Sequence, residues 1–346
     1  MKAAFLTGMK QVEVREIPPP LVPEDGLVLQ VKACGVCGSD LRRWKEGPTL
    51  ETSLMIPGHE IAGIVVSVGK MLKGYKEGDQ LAVAPDIHCG RCFYCRRGLY
   101  NLCDDLHLVG ITPGYPGGFA EQMALTGEVL VNGIVHPIPH GMSFSHAALA
   151  EPLSSVLAAH EKIGTGLEDT ILILGGGPIG CLHIAVAKER GARVILSEPS
   201  PIRRSLAERF HPDCILDPSQ EDVATKVRML TGGRGADAVI CANPAAACQA
   251  QAVDTVRKGG KVVLFGGLPK ANPMTTLDGN RIHYGEICVI GSFSYHPSFH
   301  ELALEVIGRG SIPADSVITH FFPLDEAGLA FETASQGDAL KVMVTM

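Results

Sequence analysis

The middle of the chain alternates short apolar runs with stretches of helical character. Residues 171–174 are fully apolar, as expected of a strand buried on both faces of a parallel sheet. A glycine-rich turn, a helical stretch at 181–190 and a second strand at 193–197 follow. Further βα units are predicted, with strands at 214–216, 238–241, 261–265 and 286–290. Strands that alternate with helices predict a doubly wound parallel sheet.

The first 150 residues follow a different pattern, because long helical stretches are scarce there. Strands are predicted at 12–17, 27–33, 61–68 and 80–84. Proline and glycine separate these runs, at Pro18-Pro19-Pro20, Gly58, Gly69, Gly74 and Gly78. A β-rich domain is therefore predicted ahead of the parallel sheet. The segment from about Ser292 is mixed, and its pattern does not indicate where it packs.

Composition excludes some classes of protein without indicating a reaction. The chain has 346 residues, 46% of them hydrophobic, which suffices for two or three domains. Its formal net charge is −7 and it has no basic tract, so nucleic acid is not an expected partner. Residues 170–187 lack charged side chains, but glycines interrupt them, so no membrane association is predicted. No signal peptide is recognisable at the start, and we expect a cytoplasmic protein.

The turn after residues 171–174 has the G-x-G-x-x-G spacing of a dinucleotide-binding loop. Such glycines allow a tight turn and bring a pyrophosphate close to the helix N-terminus. Glu198 ends the next strand, where a carboxylate would accept hydrogen bonds from a ribose diol. A glycine turn that merely packs is the alternative, but the flanking strand and helix favour NAD binding. The predicted cofactor-binding residues are Gly175, Gly177, Pro178, Ile179, Gly180 and Glu198.

Four cysteines lie close together in a C-x2-C-x2-C-x7-C pattern: Cys89, Cys92, Cys95 and Cys103. A two-residue spacer returns the chain so that successive sulfurs point at one centre, which suits a tetrahedral Zn²⁺ held by four thiolates. The alternative is two local disulfides or unrelated thiols. A closed site with four protein ligands leaves no position for substrate, so this lobe, at about residues 86–104, is predicted to be structural.

Several motifs occur together with this lobe and the glycine loop: Cys37-Gly38-Ser39-Asp40, and Gly58-His59-Glu60 with Gly63 and Gly69. In this combination the whole chain resembles the zinc-dependent medium-chain dehydrogenase/reductase family. The resemblance implies an α/β architecture in two domains. Residues 1–150 and 291–346 would form a GroES-like, β-rich catalytic domain, and residues 151–290 a Rossmann NAD-binding domain.

Two further segments resemble the polyol (sorbitol or iditol-like) and threonine dehydrogenase branch of that family. They are Glu151-Pro152-Leu153-Ser154-Ser155 and Gly291-Ser292-Phe293. Glu151 stands where the family's alcohol dehydrogenases usually carry a cysteine ligand. The branch also implies a homo-oligomer, with a homotetramer favoured.

The resemblance implies a catalytic zinc site. Cys37 and His59 match two of its ligands, and Glu60 or Glu151 would supply the third while the other acts through water or during turnover. Taken singly, Cys37 and His59 could be ordinary core or surface residues. Glu60 could be a solvated loop acid, and Glu151 a carboxylate that interacts with a helix dipole.

Other residues match supporting roles in the family. Ser39 matches the hydroxyl that takes the substrate proton, and Asp40 matches an acid that orients the ligating histidine. Arg42 departs from the pattern, because the family commonly places a proton-relaying histidine there and arginine does not deprotonate at useful pH. Arg203 matches a ribose-contacting arginine of threonine dehydrogenases, or else is a solvated helix charge.

These observations predict an enzyme that contains two Zn²⁺ per chain and uses NAD⁺. It would transfer a hydride from a secondary alcohol of a polyol or sugar-like substrate and give a ketone. L-threonine 3-dehydrogenase activity is the alternative, with the same zinc and hydride chemistry. A non-catalytic NAD(H)-binding zinc protein is a further alternative. It predicts a broken catalytic set, whereas Cys37, His59, Glu60 and Glu151 are all present.

Overall fold

The computed structural model describes residues 1–50 and 52–346, which divide into two compact units. Unit 1 comprises Met1–Ser154 and Ser294–Met346, and unit 2 comprises Ser155–Phe293. No helix of the described residues is long and apolar enough to cross a membrane.

The amino-terminal part of unit 1 consists mainly of short strands. These are β1 (Lys2–Gly8), β2 (Gln11–Glu16), β3 (Leu27–Gly35), β4 (Glu60–Val68), β5 (Gln80–Ala84), β6 (Asp86–Ile87), β7 (His107–Leu108), β8 (Gln122–Leu125) and β9 (Ile134–Pro137). The helices are α1 (Gly38–Glu46), α2 (Gly127–Asn132), α3 (Phe144–Ala148) and α4 (Ala150–Ile163), the last of which continues into unit 2. The predicted β-rich domain is confirmed.

Unit 2 contains a six-stranded parallel sheet in the order β12-β11-β10-β13-β14-β15. Its strands are β10 (Thr170–Leu174), β11 (Arg193–Ser197), β12 (Cys214–Leu216), β13 (Ala236–Cys241), β14 (Val256–Leu264) and β15 (Cys288–Gly291). Its helices are α5 (Pro178–Glu189), α6 (Pro201–Ala207), α7 (Val223–Leu230), α8 (Ala246–Thr255) and α9 (Gly279–Gly285). The predicted Rossmann-type alternation of strands and helices is confirmed.

The central strand β10 shows why the apolar run forms this sheet. It pairs with β11 on one side and β13 on the other, and residues 171–174 are all buried. Strand β14 begins five residues before its predicted start at 261, because its pairing with β13 shifts register between Val256 and Lys261. Gly259 and Gly260 lie in that irregular stretch. Glycines have no apolar side chain, so the hydrophobic pattern does not predict a strand there.

The carboxyl-terminal segment returns to unit 1 and completes its sheet. It contains α10 (Ser298–Gly308), α11 (Ala314–Val317), β16 (Ile318–Pro323), α12 (Ala327–Gln336) and β17 (Lys341–Thr345). The sheet runs β16-β17-β3-β4-β5-β9, and β8 also pairs with β3. In the antiparallel β17–β3 pair, Met343 lies opposite Gly35. The last strand of the chain is therefore next to the strand that leads into Cys37.

Candidate active site and metal centres

The cysteine lobe brings its four thiols together. The sulfur atoms of Cys89, Cys92, Cys95 and Cys103 all lie within 4.8 Å of one another. Backbone N–H groups point at these sulfurs: Cys89 donates to Cys103 Sγ at 3.2 Å, and Cys95 donates to Cys92 Sγ at 3.4 Å. Such bonds stabilise thiolates, and they lower the pKa of Cys92 to about 6. All eleven cysteines are described, and all are free thiols, which disfavours the disulfide alternative.

A second group of candidate ligands forms in unit 1 from residues before and at the start of β4. One donor atom each from Cys37, His59 and Glu60 lies within 4.8 Å of the other two. Cys37 is the residue before α1, and its backbone N–H donates to Asp40 Oδ2 at 3.0 Å. That hydrogen bond belongs to a capping box at the start of α1.

His59 lies buried beside Asp40. The Asp40 Oδ1 atom is 3.7 Å from His59 Nδ1, which is an ion-pair contact but too long for a hydrogen bond. Burial alone would lower the pKa of His59, but Asp40 and Cys37 outweigh it and raise the pKa well above its ordinary value. Burial raises the pKa of Asp40, against the opposing charge of His59. The orienting role of Asp40 stays a prediction.

Glu60 is held by a lysine from the last strand. Lys341 Nζ donates to Glu60 Oε1 at 2.6 Å and to the Val36 carbonyl oxygen at 3.2 Å. Burial would lower the pKa of Lys341, but Glu60 and Cys37 raise it overall, so the ammonium stays charged. The second oxygen, Oε2, lies where a Cβ on Gly35 would be only 1.9 Å away. A side chain at position 35 would therefore displace the Glu60 carboxylate from this position.

Glu151 lies in the first turn of α4 and is 9% exposed. Tyr295 Oη donates to Glu151 Oε1 at 3.3 Å. Burial raises the pKa of Glu151 to about 7, with His59 acting in the opposite direction and Glu60 adding to the rise. Glu151 does not belong to the group of Cys37, His59 and Glu60, although their charges act on one another.

The two residues considered for proton transfer differ in their surroundings. The Ser39 hydroxyl is buried and has no hydrogen-bond partner among the described residues. Arg42 is exposed on the same helix, α1. Neighbouring Arg43 instead binds the Gly110 carbonyl oxygen at 2.9 Å. Within the described residues, no side-chain hydrogen bond continues from Ser39 toward Arg42.

The donor atoms at this site fit zinc. Glu60 Oε2 is buried and has no hydrogen-bond partner among the residues that the structure describes, whereas His59 Nδ1 faces Asp40 and leaves the other ring nitrogen for a ligand. Leaving an atom such as Oε2 unsatisfied is costly in an apolar interior, so a bound group is expected to use it. A thiolate, an imidazole and a carboxylate are ligands that Zn²⁺ accepts. The lobe, with four sulfurs, fits a second, closed zinc site.

The glycine loop of unit 2 has the geometry of a dinucleotide cradle. Gly175 has φ +109°, which favours glycine, and a Cβ on Gly180 would lie 1.9 Å from the Gly175 carbonyl oxygen. A Cβ on Gly177 would instead meet no described atom within 4 Å, so this face of the loop is open. Gly177 precedes α5, which begins with Pro178 and Ile179. The loop therefore leaves room for a phosphate group at the helix N-terminus.

Glu198 follows β11 and turns back onto this loop. Its Oε2 accepts the Gly176 N–H at 2.6 Å, and its Oε1 accepts the Ser200 N–H at 2.8 Å. These bonds fix the carboxylate beside the cradle, and each oxygen has a further lone pair for a ligand. Arg203 lies on α6, and its charge acts on Cys181, in the first turns of α5. Both predicted ribose-contacting residues therefore lie near the glycine loop.

Three buried residues that interact with the candidate site were not predicted from the sequence. Lys341 is a single charge in the run Leu340-Lys341-Val342-Met343-Val344, and Asp86 is a single charge in the run Leu81-Ala82-Val83-Ala84-Pro85-Asp86-Ile87, so each carried a detectable signal. A buried charge in a strand indicates a partner. Tyr295 carried no such signal, because its contact with Glu151 joins residues that are far apart in the sequence.

Comparison with known proteins gives two family matches. Residues 23–138 match the alcohol dehydrogenase GroES-like domain, and residues 178–309 match the zinc-binding dehydrogenase domain. The glycine loop at 175–180 straddles the beginning of the second match. The candidate ligands Cys37, His59 and Glu60, and the cysteine lobe, all lie within the first.

Curated relatives align over nearly the full length. The sorbitol dehydrogenase of Bacillus subtilis (strain 168) is 33% identical over 99% of this chain and 97% of its own. The D-arabitol-phosphate dehydrogenase of Enterococcus avium is 34% identical over 97% of this chain and 94% of its own. The L-threonine 3-dehydrogenase of Pyrococcus furiosus is 31% identical over 99% and 97%.

A solved structure with similar coverage is described as a zinc-binding dehydrogenase from Sinorhizobium meliloti 1021 bound to NADP. It is 33% identical to this chain, covers 100% of it and 99% of its own length, and superposes with a TM-score of 0.90. The similarity therefore extends over both units.

Proposed function

Because the chain belongs to the zinc-dependent medium-chain dehydrogenase/reductase family, we propose that it oxidises a secondary hydroxyl of a small polyol to a ketone, with NAD⁺ as the hydride acceptor. The observation that carries this proposal is the set of buried donors formed by Cys37, His59 and Glu60, with Glu151 close enough to interact with them. Carboxylates at a zinc centre make its surroundings polar, which favours a polyhydroxylated substrate over a long simple alcohol.

Cys37, His59 and Glu60 would hold the catalytic zinc, with Glu60 contributing Oε2. Lys341 supports this assignment because it occupies Oε1 and leaves Oε2 without a hydrogen-bond partner. Glu151 would hydrogen-bond the group that occupies the open position, while Tyr295 fixes its other side. When bound, zinc lowers the pKa of the substrate hydroxyl as a Lewis acid, and NAD⁺ accepts the hydride.

The remaining residues of the site orient groups and move a proton. Ser39 would accept the proton of the substrate hydroxyl and pass its own hydroxyl proton to water or to a cofactor ribose hydroxyl, and its unpaired buried oxygen suits that role. Asp40 would hold His59 in place through their electrostatic contact. Arg42 is not part of this route, because its side chain is exposed.

In unit 2, the cradle would bind the pyrophosphate of the dinucleotide through Gly175, Gly177, Pro178, Ile179 and Gly180. Glu198 would accept hydrogen bonds from the adenosine ribose and repel a 2′-phosphate. We therefore propose a preference for NAD⁺, with Arg203 as a further ribose contact. The four thiolates of the lobe would hold a structural zinc that links the segment from Cys89 to Cys103.

Residues 1–150 and 291–346 would act as the catalytic domain and residues 151–290 as the cofactor domain. A cytoplasmic location and assembly as a homotetramer belong to this proposal. L-threonine oxidation is the second candidate, since the P. furiosus relative bears that name. Glu151 could pair with its ammonium group.

Metal analysis combined with a substrate panel tests the proposal. The purified protein is expected to contain two zinc ions per chain and to reduce NAD⁺ with sorbitol or xylitol much faster than with ethanol. Oxidation of threonine alone would favour the second candidate. Full activity after complete removal of zinc would contradict the proposed chemistry.

A further inference from the structure

Asp86 is a buried carboxylate to which the proposed reaction gives no role. It begins β6 in unit 1 and is only 5% exposed. Its Oδ2 accepts a hydrogen bond from Ser294 Oγ at 2.5 Å, and it forms no ion pair with any described residue. Burial raises the pKa of Asp86 to about 6, although the Ser294 bond and the charge of His59 oppose that rise. Burying a carboxylate without a cationic partner costs desolvation free energy, so we expect Asp86 to have a function.

The segment that contacts Asp86 also contacts Glu151. Ser294 has φ +45°, a left-handed conformation that is uncommon for a residue other than glycine. In this conformation Ser294 bonds to Asp86, while the next residue, Tyr295, bonds to Glu151. Two consecutive hydroxyl groups therefore hold two buried carboxylates. Strain of this kind persists only where surrounding contacts enforce it.

The cysteine lobe supplies some of the contacts that hold Ser294 in this conformation. The ring of His296, the residue after Tyr295, has its centroid 5.1 Å from that of Tyr100. Tyr100 in turn stacks on His88 with centroids 4.1 Å apart. Tyr100 lies between two cysteines of the lobe, and His88 directly precedes a third. The lobe thus braces residues 294–296, and through them the two carboxylates.

Apart from the proposed zinc, the charges around these carboxylates are mainly negative. Glu151 interacts with the charges of Asp86 and Glu60 as well as with those of His59 and Lys341. Of these two basic residues, Lys341 is already paired with Glu60, and His59 is a candidate zinc ligand. Neither is available to neutralise a phosphate or carboxylate of a substrate. Two carboxylates, in contrast, accept hydrogen bonds from hydroxyl groups.

We propose that Asp86 is a specificity-determining residue that accepts a hydrogen bond from a second hydroxyl of the substrate and excludes polyols that carry a phosphate or carboxylate. This inference rests on the proposed polyol oxidation and narrows it to neutral, unphosphorylated substrates. It also separates this chain from its relative that is named for a sugar-alcohol phosphate.

Binding is measured first, by calorimetry on the zinc-loaded enzyme with NADH present. Sorbitol is the neutral probe and sorbitol 6-phosphate the anionic probe. The unmodified enzyme is expected to bind sorbitol at least about tenfold more tightly, because the phosphate would lie near unneutralised carboxylates. Asp86→Asn should weaken sorbitol binding about fivefold to tenfold, since a charge-assisted hydrogen bond becomes a neutral one. The ratio of the affinities for sorbitol and sorbitol 6-phosphate should also become smaller. Asp338→Asn, which removes an exposed charge of unit 1, is the control and should change neither value.

Turnover is measured separately, with sorbitol and with 2-butanol, which lacks a second hydroxyl. Asp86→Asn should raise KM for sorbitol and leave kcat/KM for 2-butanol within about twofold of the unmodified value. Ser294→Ala keeps the carboxylate but removes its hydroxyl partner. It should therefore weaken sorbitol binding and raise KM for sorbitol by smaller factors than Asp86→Asn does. It also provides the test if Asp86→Asn does not fold.

Equal losses for sorbitol and 2-butanol in both variants would make Asp86 a structural residue and overturn the inference. Equal binding of sorbitol and its phosphate by the unmodified enzyme would also overturn it. Selective sorbitol binding without NADH formation would support Asp86 but contradict the proposed reaction. Sorbitol turnover with the same selectivity in Asp86→Asn as in the unmodified enzyme would support the proposed reaction but contradict the role of Asp86.

Discussion

The Lys341 ammonium lies 2.6 Å from Glu60 Oε1, and both side chains are buried. The pair joins the last strand of the chain to the first residue of β4. The lysine holds one carboxylate oxygen, while the other, Oε2, is buried and has no hydrogen-bond partner among the described residues. We therefore expect Lys341 to position Glu60.

Replacing Lys341 tests this positioning role. Lys341→Met should weaken zinc binding at the catalytic site by about tenfold to a hundredfold, because Glu60 loses the partner that orients it. Lys341→Arg should retain most of the affinity, since the charge and a donor remain. Competition with a chromophoric chelator measures the affinity independently of turnover. Unchanged affinity in Lys341→Met would contradict the role.

The two zinc sites should be separable by mutation. Cys95→Ser should remove one zinc per chain and lower the unfolding midpoint by at least about 5 °C, because the lobe loses its cross-link. His59→Ala should reduce turnover by at least about a thousandfold while leaving the fold and the other zinc. Elemental analysis and thermal unfolding of both variants provide the check. Loss of both zinc ions in either variant would show that the sites are not independent.

Cofactor choice should depend on Glu198. The unmodified enzyme should prefer NAD⁺, because the carboxylate beside the Gly176 N–H would repel a 2′-phosphate. Glu198→Ser removes that charge and should narrow or reverse the preference, measured as the ratio of kcat/KM for the two cofactors. Equal use of NAD⁺ and NADP⁺ by the unmodified enzyme would exclude this role for Glu198.

Ser39 and Arg42 should differ in their contributions to proton transfer. Ser39→Ala should slow hydride transfer by about 10²–10⁴-fold, the usual range for losing general acid–base assistance. Arg42→Ala should leave most of the rate intact, because this side chain is exposed. Single-turnover kinetics compares the two variants. Comparable losses would assign Arg42 a catalytic function.

Unit 2 should lose stability in mild acid because of a buried histidine pair. His160 Nδ1 lies 2.8 Å from Thr165 Oγ1, and its Nε2 lies 3.2 Å from His183 Nδ1. Burial lowers the pKa of His160 to about 3 and lowers that of His183 as well. The unfolded chain therefore binds protons below its ordinary histidine pKa of about 6.5 while the folded state does not, so stability falls as pH drops from there toward 3.

The matched variant for this pH effect is His160→Asn, which keeps a polar atom near Thr165 and cannot titrate. Its unfolding midpoint should fall less steeply than that of the unmodified protein between about pH 6.5 and pH 4. Parallel curves would show that the pair does not contribute to acid sensitivity. Measuring the difference between two zinc-loaded proteins separates this effect from loss of metal in acid.

The sequence was sufficient for features that depend on local pattern. Residues 171–174 formed a central strand because a fully apolar run suits a sheet covered on both faces. The cysteine spacing brought four sulfurs together because it acts over a short loop. In contrast, the contacts of Lys341 with Glu60 and of Ser294 with Asp86 join residues 281 and 208 positions apart. No local periodicity encodes such contacts, since they depend on how β17 and the segment after residue 293 return to the sheet.

Isotope transfer from a fully carbon-deuterated polyol is the most direct test of the central claim. The zinc-loaded enzyme is incubated with NAD⁺ and sorbitol deuterated at every carbon, and both products are analysed by mass spectrometry and NMR. We expect one deuterium per nicotinamide, a ketose as the second product, and loss of both signals in His59→Ala. Unlabelled NADH, an aldose product, or undiminished transfer in His59→Ala would contradict zinc-dependent oxidation of a secondary hydroxyl.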